Sequence, residues 1–403
     1  MDRTILHCDC NAYFASVESI ARPELKNVPM AVCGDPKSRH GIILAKNELA
    51  KKYGIITAET VWQAKRKCKD LVLVAPHHEK YKEYSRRISR IYEQYTDQVE
   101  AFSVDESWLD VSGSLHMFGT GVEIADLLRK RVREEIGLTI SVGVSFNKVF
   151  AKLGSDYKKP DATTLITREN APQLLYPLSV GDMLYVGKKT AEILKNARIR
   201  TIGELAKSEK QRIVSLLGKT GGLIWEYANG LDENSVKRKN EQDPVKSVGN
   251  GITFRRNLLG LQDIKTGVYM LCDSVAARLR ASALLCLTVQ VQIKDPDFHV
   301  ISRQKTLNRA TNLTHEIKDA ALSIVLEAWN LEHPIRMLSI SGTNLTKEDT
   351  KQQLSMFEEP QEKNEKLDRA IDSIRGRYGK DAVKIASLAK TDMLVQEQEE
   401  IDP

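Results

Sequence analysis

The chain lacks any apolar run approaching the roughly 18 residues of a membrane span. The opening MDRTILHCDCN carries an apolar patch too short for a signal peptide, and acids interrupt it. These two absences set the expectation of a soluble, cytoplasmic protein. Cysteine is scarce and scattered: Cys8, Cys10, Cys33, Cys68, Cys272 and Cys286. Cys8 and Cys10 share one face of a predicted strand, but no second pair stands at a matching spacing, which excludes a zinc knuckle. The six read instead as small buried apolar side chains in a reducing compartment. Neither sign of charge is in large excess, with 60 Lys and Arg against 54 Asp and Glu and a net charge of +6. That balance allows a polyanionic partner without demanding one. Hydrophobic residues at 41% and charged residues at 28% exclude wholesale disorder, and 403 residues suit two to four domains.

What is present is regular patterning. TILHCDC at 4–10 reads as a buried strand, followed by a helix over 11–20 with Asn11 in N-cap position. Residues 28–34 and 41–46 read as strands, NELAKKYG as a helix ending at Gly54, and LVLVA at 71–75 as another strand. A charged helix pattern covers 79–96. VEAFSVDESWLDVSG at 99–113 reads as strand, turn and strand, and a helix over 121–136 precedes a strand over 138–145. This alternation implies an α+β or α/β layered structure. Residues 166–230 are helical in pattern, and the polar segment 232–247 reads as a linker. Beyond it, Leu287, Val289, Val291 and Ile293 alternate as in a half-buried strand. Ile317, Ala320, Ala321, Ile324, Val325 and Ala328 share a helical face, and 335–341 reads as a closing strand. Residues 362–388 include a helical stretch with apolar Leu367, Ile371 and Ile374.

Three constellations carry chemistry. Asp9 interrupts an apolar strand, and Asp105 and Glu106 lie together at a predicted turn. Clustered carboxylates repel one another, a repulsion that divalent cations relieve, and two such ions flanking a phosphate promote phosphoryl transfer. Spacing alone favours the blander reading, a solvated turn and a strand end, because charged residues are usually exposed. NKVFAKLGSDYKKP supplies Lys148, Lys152, Lys158 and Lys159, which serve either as phosphate partners or as a solvated face. VGKKTA at 186–191 places a glycine before a helix, a backbone phosphate site or an ordinary helical hairpin turn.

In this order the pieces resemble the Y-family translesion DNA polymerases, which hold bacterial DNA polymerase IV and the catalytic subunit of polymerase V. The carriers are HCDCNAYFASVE at 7–18, GIILAKNELAKKYGI at 41–55, SVDES at 103–107, VGVSFNKVFAKLGSDYKKP at 142–160 and VGKKTAEIL at 186–194. The resemblance covers about residues 1–357. The resemblance implies an α+β multidomain right hand. Its palm would be 1–10 and 78–165, its fingers 11–77, and its helical thumb 166–231 with a helix-hairpin-helix. The linker 232–247 would tether an α/β little finger at 248–350, and 351–403 would form a tail.

The resemblance also assigns roles. Asp9, Asp105 and Glu106 would be catalytic and, with the backbone carbonyl of Cys10, would hold two Mg²⁺ ions. Phe14 would be the steric gate against a ribose 2′-hydroxyl. The Tyr13 and Phe14 amides, Lys51 and Lys159 would bind the deoxynucleoside triphosphate, and Ile42 and Leu44 would line the nascent base pair. Gly187, Lys188 and Lys189 would meet the backbone of primer–template DNA. Glu48 and Lys51 stand where polymerase IV enzymes usually show Tyr and Arg, a departure that leans toward the polymerase V-like branch or a separate subgroup and leaves lesion preference open. QLSMF, Gln353, Leu354, Ser355, Met356 and Phe357, resembles the peptide by which bacterial polymerases bind the sliding clamp.

The implied protein is a monomeric lesion-bypass DNA polymerase of low processivity, without a membrane partner. Two rivals stand beside it. A non-catalytic DNA-binding scaffold is opposed by the intact carboxylate trio. A nucleotide cyclase is opposed by the helix-hairpin-helix, the clamp-like peptide and the modest basic excess after the linker.

Overall fold

The computed structural model describes residues 2–35, 41–239, 241, 244–348, 362–384 and 393. Two compact units divide within the 232–247 segment, at about residue 242. Among the described residues, the first holds eight strands in chain order: β1 (Ile5–Cys10), β2 (Met30–Cys33), β3 (Ile43–Lys46), β4 (Val72–Val74), β5 (Val99–Ala101), β6 (Glu106–Asp110), β7 (Ile140–Ser145) and β8 (Thr163–Leu165).

The larger sheet has the order β5-β6-β1-β7-β8. β1 lies in the middle, antiparallel to both β6 and β7, and all six of its residues are buried. A strand covered on both faces reads as a near-continuous apolar run, which is why ILHCDC shows little alternation. The helix Lys148–Tyr157 packs on β7 and β1. Its approach is close enough that a Cβ on Gly143 would lie 1.8 Å from the Ala151 carbonyl oxygen, so only glycine fits there. That contact fixes the lysines of the helix and of the segment after it over the end of β1.

The smaller sheet, β3-β2-β4, carries the helices Glu48–Lys52 and Val61–Lys67. A β-bulge between Val32 and Cys33 interrupts its β2–β3 register. Residues after β8 form five helices, Ala171–Leu174, Lys188–Asn196, Ile202–Lys207, Lys210–Leu217 and Lys219–Ala228, around a core that includes Leu175, Leu194, Ile202, Leu205 and Ile224.

The second unit is a four-stranded antiparallel sheet of β9 (Ser247–Leu258), β10 (Leu284–Lys294), β11 (Val300–Thr311) and β12 (Ile335–Lys347), in the order β11-β10-β12-β9. The helices Gly260–Ala281 and Thr314–Ala328 cover it, and their Val268, Leu271, Val275, Ile317, Ala321 and Val325 meet Val289, Val291, Ile293, Leu338 and Ile340 in one core.

The structure departs from the sequence expectations in three places. Asn11 does not cap its helix: Ala12 occupies that position at φ 47°, and the Asn11 side chain instead donates to Thr139 and accepts from Ser141. Leu287 does not join the buried face of β10, because a bulge between Cys286 and Thr288 resets the pleat and buries Thr288 instead. The linker is moored over its first half. Val236 is only 2% exposed against Ile5, Trp108 and Ala151, Arg3 donates to the Asp232 and Asn234 carbonyls, and the Lys237 amide donates to Glu100. The helical stretch expected within 362–388 is present as Glu362–Tyr378; it leaves Leu367 57% exposed and buries Asp368, which pairs with Arg280 at 3.0 Å, and Arg280 also holds Asp372 at 2.6 Å. The segment Gln353–Phe357 lies outside the described residues.

Candidate active site

Backbone pairing brings the three predicted carboxylates to one end of the larger sheet. Asp9, near the end of β1, stands directly opposite Glu106 at the start of β6. One step on, the Cys10 amide donates to the Asp105 carbonyl at 3.1 Å. Asp9 is 5% exposed, while Asp105 and Glu106 are half-buried. The Cys10 thiol is buried, and burial pushes it well above the usual thiol range, which leaves its backbone as the polar part.

Two lysines answer these acids. Lys159 Nζ lies 2.7 Å from Asp9 Oδ2 and 2.7 Å from Asp156. Lys152 Nζ lies 2.8 Å from Glu106 Oε1. Asp105 is turned aside, accepting from Ser103 Oγ at 2.6 Å. Burial, and then the neighbouring Glu106, push the Asp9 carboxyl up to about 7, although Lys159 opposes the rise. Burial would raise Glu106 as well, but the hydrogen bond from Asp9 and the Lys152 ammonium hold it below the usual range. Asp9 is thus pushed up and Glu106 held down by the same short distance between them. Two carboxylates brought together in this way, with a third beside them, form a donor set suited to a hard divalent cation.

Among the described residues, the one group whose three ligand atoms lie within 4.8 Å of one another is elsewhere, at Asp295, Asp297 and His299. Asp295 accepts from the His299 amide and imidazole and so closes the turn between β10 and β11, which accounts for the cluster.

Tyr13 and Phe14 open the helix Tyr13–Ala21, where the first amides have no acceptor within the helix. The Tyr13 hydroxyl donates to the Tyr81 carbonyl at 2.6 Å. The Phe14 ring stacks on Tyr81, with centroids 4.0 Å apart and planes 12° off parallel, and His78 meets both rings edge-on. Tyr81 is anchored at its other end. Its hydroxyl donates to Glu18 at 2.6 Å, and the same oxygen lies 2.8 Å from His77 Nδ1. Glu18 is 2% exposed and also faces Arg22 at 3.5 Å. Phe14 and Glu18 are four residues apart on one helix, so Tyr81 bridges one helical face by its ring and its hydroxyl.

The other predicted residues occupy distinct positions. Leu44 packs in the cluster of Phe14, Ala12 and Ala15, whereas Ile42 is partly exposed and bridges Thr60. Lys51 is exposed and pairs with Glu48 at 3.6 Å. Gly187 is the N-cap of the helix Lys188–Asn196; Gly187, Lys188 and Lys189 are all exposed. Sequence reasoning assigned no role to Glu18 or Tyr81, and it left Lys152 as either a phosphate partner or part of a solvated face. Lys152 carried a signal, seven residues before Lys159 in a lysine-rich run, but its match to Glu106 depends on how the helix seats on β7.

Comparison with known proteins gives a consistent result. Residues 8–156 match the model of the impB/mucB/samB family, and residues 245–356 match that of its C-terminal domain. DNA polymerase IV of Acetivibrio thermocellus is 46% identical over 381 residues, covering 94% of this chain and 96% of the relative. DNA polymerase IV of Clostridium kluyveri is 37% identical over 398 residues, covering 97% and 99%. Both carry the polymerase IV name, against the lean that Glu48 and Lys51 gave. The chimera titled Y-family DNA polymerase chimera Dbh-Dpo4(243-245)-Dbh superposes with a TM-score of 0.74 at 21% identity, over 85% of this chain and 98% of the other, a likeness of fold.

Proposed function

The chain belongs to the impB/mucB/samB family of Y-family polymerases, and on that premise we propose that it is a DNA-directed DNA polymerase acting in lesion bypass. The observation that carries the reading is the pairing of Asp9 with Glu106 across β1 and β6, with Asp105 one step on and Lys159 and Lys152 against them. In this reading the larger sheet is the palm, the smaller sheet belongs to the fingers, the helices of 166–231 are the thumb, and the second unit is the little finger.

Asp9, Asp105, Glu106 and the Cys10 carbonyl would hold two divalent cations, Mg²⁺ being the natural choice for carboxylate and phosphate oxygens. Bound there, such ions would supply Lewis acidity to the primer 3′-hydroxyl and charge neutralisation to the triphosphate, the chemistry that attack on the α-phosphorus with loss of pyrophosphate requires. The chain's own groups do the rest. Lys159 leaves Asp9 and moves to the triphosphate, an exchange of one anion for a more highly charged one. Lys152 keeps Glu106 ionised and aimed. The amides of Tyr13 and Phe14 receive phosphate oxygens at the helix N-terminus. The Phe14 ring, backed by Tyr81, closes on the sugar where a 2′-hydroxyl would project. Ile42 and Leu44 border the nascent pair, and the start of the helix Lys188–Asn196 grips the DNA backbone without reading sequence. Gln353–Phe357 tethers the enzyme to a sliding clamp, which raises its effective concentration at the primer end.

Phe14→Ala tests the reading. The variant is expected to extend primers with ribonucleotides while retaining extension with deoxynucleotides; unchanged sugar discrimination would return Phe14 to the role of a core aromatic. Alanine at Leu354, Met356 and Phe357 is expected to remove stimulation by the clamp and leave clamp-free synthesis intact.

A further inference from the structure

Trp62 has an exposure that its neighbours do not explain. It lies in the first turn of the helix Val61–Lys67 and is 65% exposed, in a chain with only four tryptophans. The Arg66 guanidinium lies over one face of its ring, 4.8 Å from the centroid. That contact, four residues along one helix, holds the indole and leaves its second face to solvent. Tyr53 and Ile56 are also exposed, at 53% and 59%.

The surroundings are basic. Lys65, Arg66 and Lys67 form the last turn of the helix. Lys67 is paired with Glu59 at 2.6 Å, whereas Lys65 and Arg66 have no carboxylate partner among the described residues. The location is defined by backbone pairing. Thr60 caps the helix and bridges Ile42, and the Val61 amide donates to the Gly41 carbonyl at 3.0 Å. Trp62 therefore adjoins the strand edge that the proposed function gives to the nascent base pair.

We infer that Trp62, held by Arg66, is a stacking platform for an unpaired base of the template strand beyond the nascent pair. The inference rests on the polymerase reading and adds a single-strand DNA subsite to it. An aromatic face with unpaired cations beside it suits single-stranded nucleic acid, because every base has a π-face and every linkage a negative charge. The platform is sequence-tolerant, and it loses its ligand wherever the template base is missing.

The test is equilibrium binding of the full chain to three DNAs: a blunt duplex, a recessed primer–template with an unpaired template overhang, and the same overhang built from abasic sites. Wild type is expected to bind the normal overhang about five- to tenfold tighter than the abasic one, the low end for base-on-aromatic stacking at an exposed site. Trp62→Ala is expected to abolish that difference and to bind blunt duplex as wild type does, which also reports that it is folded. Trp62→Phe is expected to keep most of the difference. A Trp62→Ala protein that still prefers the normal overhang overturns the inference. So does one that weakens equally on normal and abasic overhangs, since its loss would then be one of charge or fold. A wild type that binds no primer–template at all would overturn the polymerase reading first, and this subsite with it.

Discussion

Tyr81→Phe is the most informative single change in the candidate site, because it deletes one hydroxyl and leaves the ring. The stack on Phe14, 4.0 Å between centroids, remains available. What is lost is the 2.6 Å bond to Glu18, a carboxylate that is 2% exposed. Hydrogen bonds to charged groups contribute about 1.5–3 kcal/mol, and the low end applies here because His77 and Arg22 still face Glu18. A loss of about 1.5 kcal/mol lowers Tm by roughly 3–6 °C for a unit of this size. The same energy is a ceiling on the functional effect. If all of it holds the ring behind Phe14, discrimination against ribonucleotides falls about tenfold, since 1.4 kcal/mol is a factor of ten. The expected result is thus a drop of about three- to tenfold in the ratio of kcat/KM for deoxy- over ribonucleotide, with kcat/KM for the deoxynucleotide nearly unchanged. The assay is single-nucleotide primer extension with each sugar, beside a thermal melt. A Tyr81→Phe protein that melts lower but discriminates as wild type would refute the reasoning. The Glu18–Tyr81 bond would then serve stability alone.

Three further predictions concern other parts of the chain. The Asp9 carboxyl is pushed up to about 7 from an ordinary 3.8, so below that pH a cation must displace its proton. Metal affinity is expected to rise between pH 6 and 8 with proton release on binding, measured by titration calorimetry in buffers of different ionisation heat; a flat profile would contradict the assignment of Asp9 as a ligand. Val236→Asp places a charge among Ile5, Trp108 and Ala151, at a cost of about 2–3 kcal/mol to the docked segment. Limited proteolysis is expected to cut within 232–239 in the variant and not in wild type, and equal resistance would mean that Arg3 and Glu100 suffice as moorings. Arg280→Ala leaves Asp368 buried without its cation, a loss of about 3 kcal/mol by comparison with other broken buried pairs. Amide exchange across Glu362–Tyr378 is expected to accelerate, and unchanged protection would show that the ion pairs do not hold that helix.

Much of this architecture can be read directly from apolar patterning. Continuous apolar runs mark the doubly covered strands β1 and β7, and the helical face from Ile317 to Val325 appears in the core as its spacing implies. The residues that patterning misplaces have local physical causes. A bulge at Cys286 and Thr288 shifts which side chains of β10 face inward, and period-two reasoning cannot foresee an inserted residue. Val236 is an isolated apolar residue flanked by polar ones, so its burial follows from a groove made by residues far away in sequence. In the site, the acids stand out in sequence because Asp9 interrupts an apolar strand. Their pairing with Lys152 and Lys159 depends on the seating of a helix against Gly143, a tertiary distance that spacing does not encode. Tyr81 is hidden for the same reason. It sits in the charged helix His78–Tyr92, and its worth lies in what Phe14 and Glu18 present to it.

The central claim is that the carboxylates at the ends of β1 and β6 carry nucleotidyl transfer. The most direct measurement is extension of a recessed primer–template with Mg²⁺ and deoxynucleotides, by the wild type beside an Asp105→Ala/Glu106→Ala variant, with DNA affinity measured in parallel. Extension by the wild type alone, at matched DNA affinity, is the predicted result. Extension by both proteins would contradict the assignment and move the chemistry to other residues.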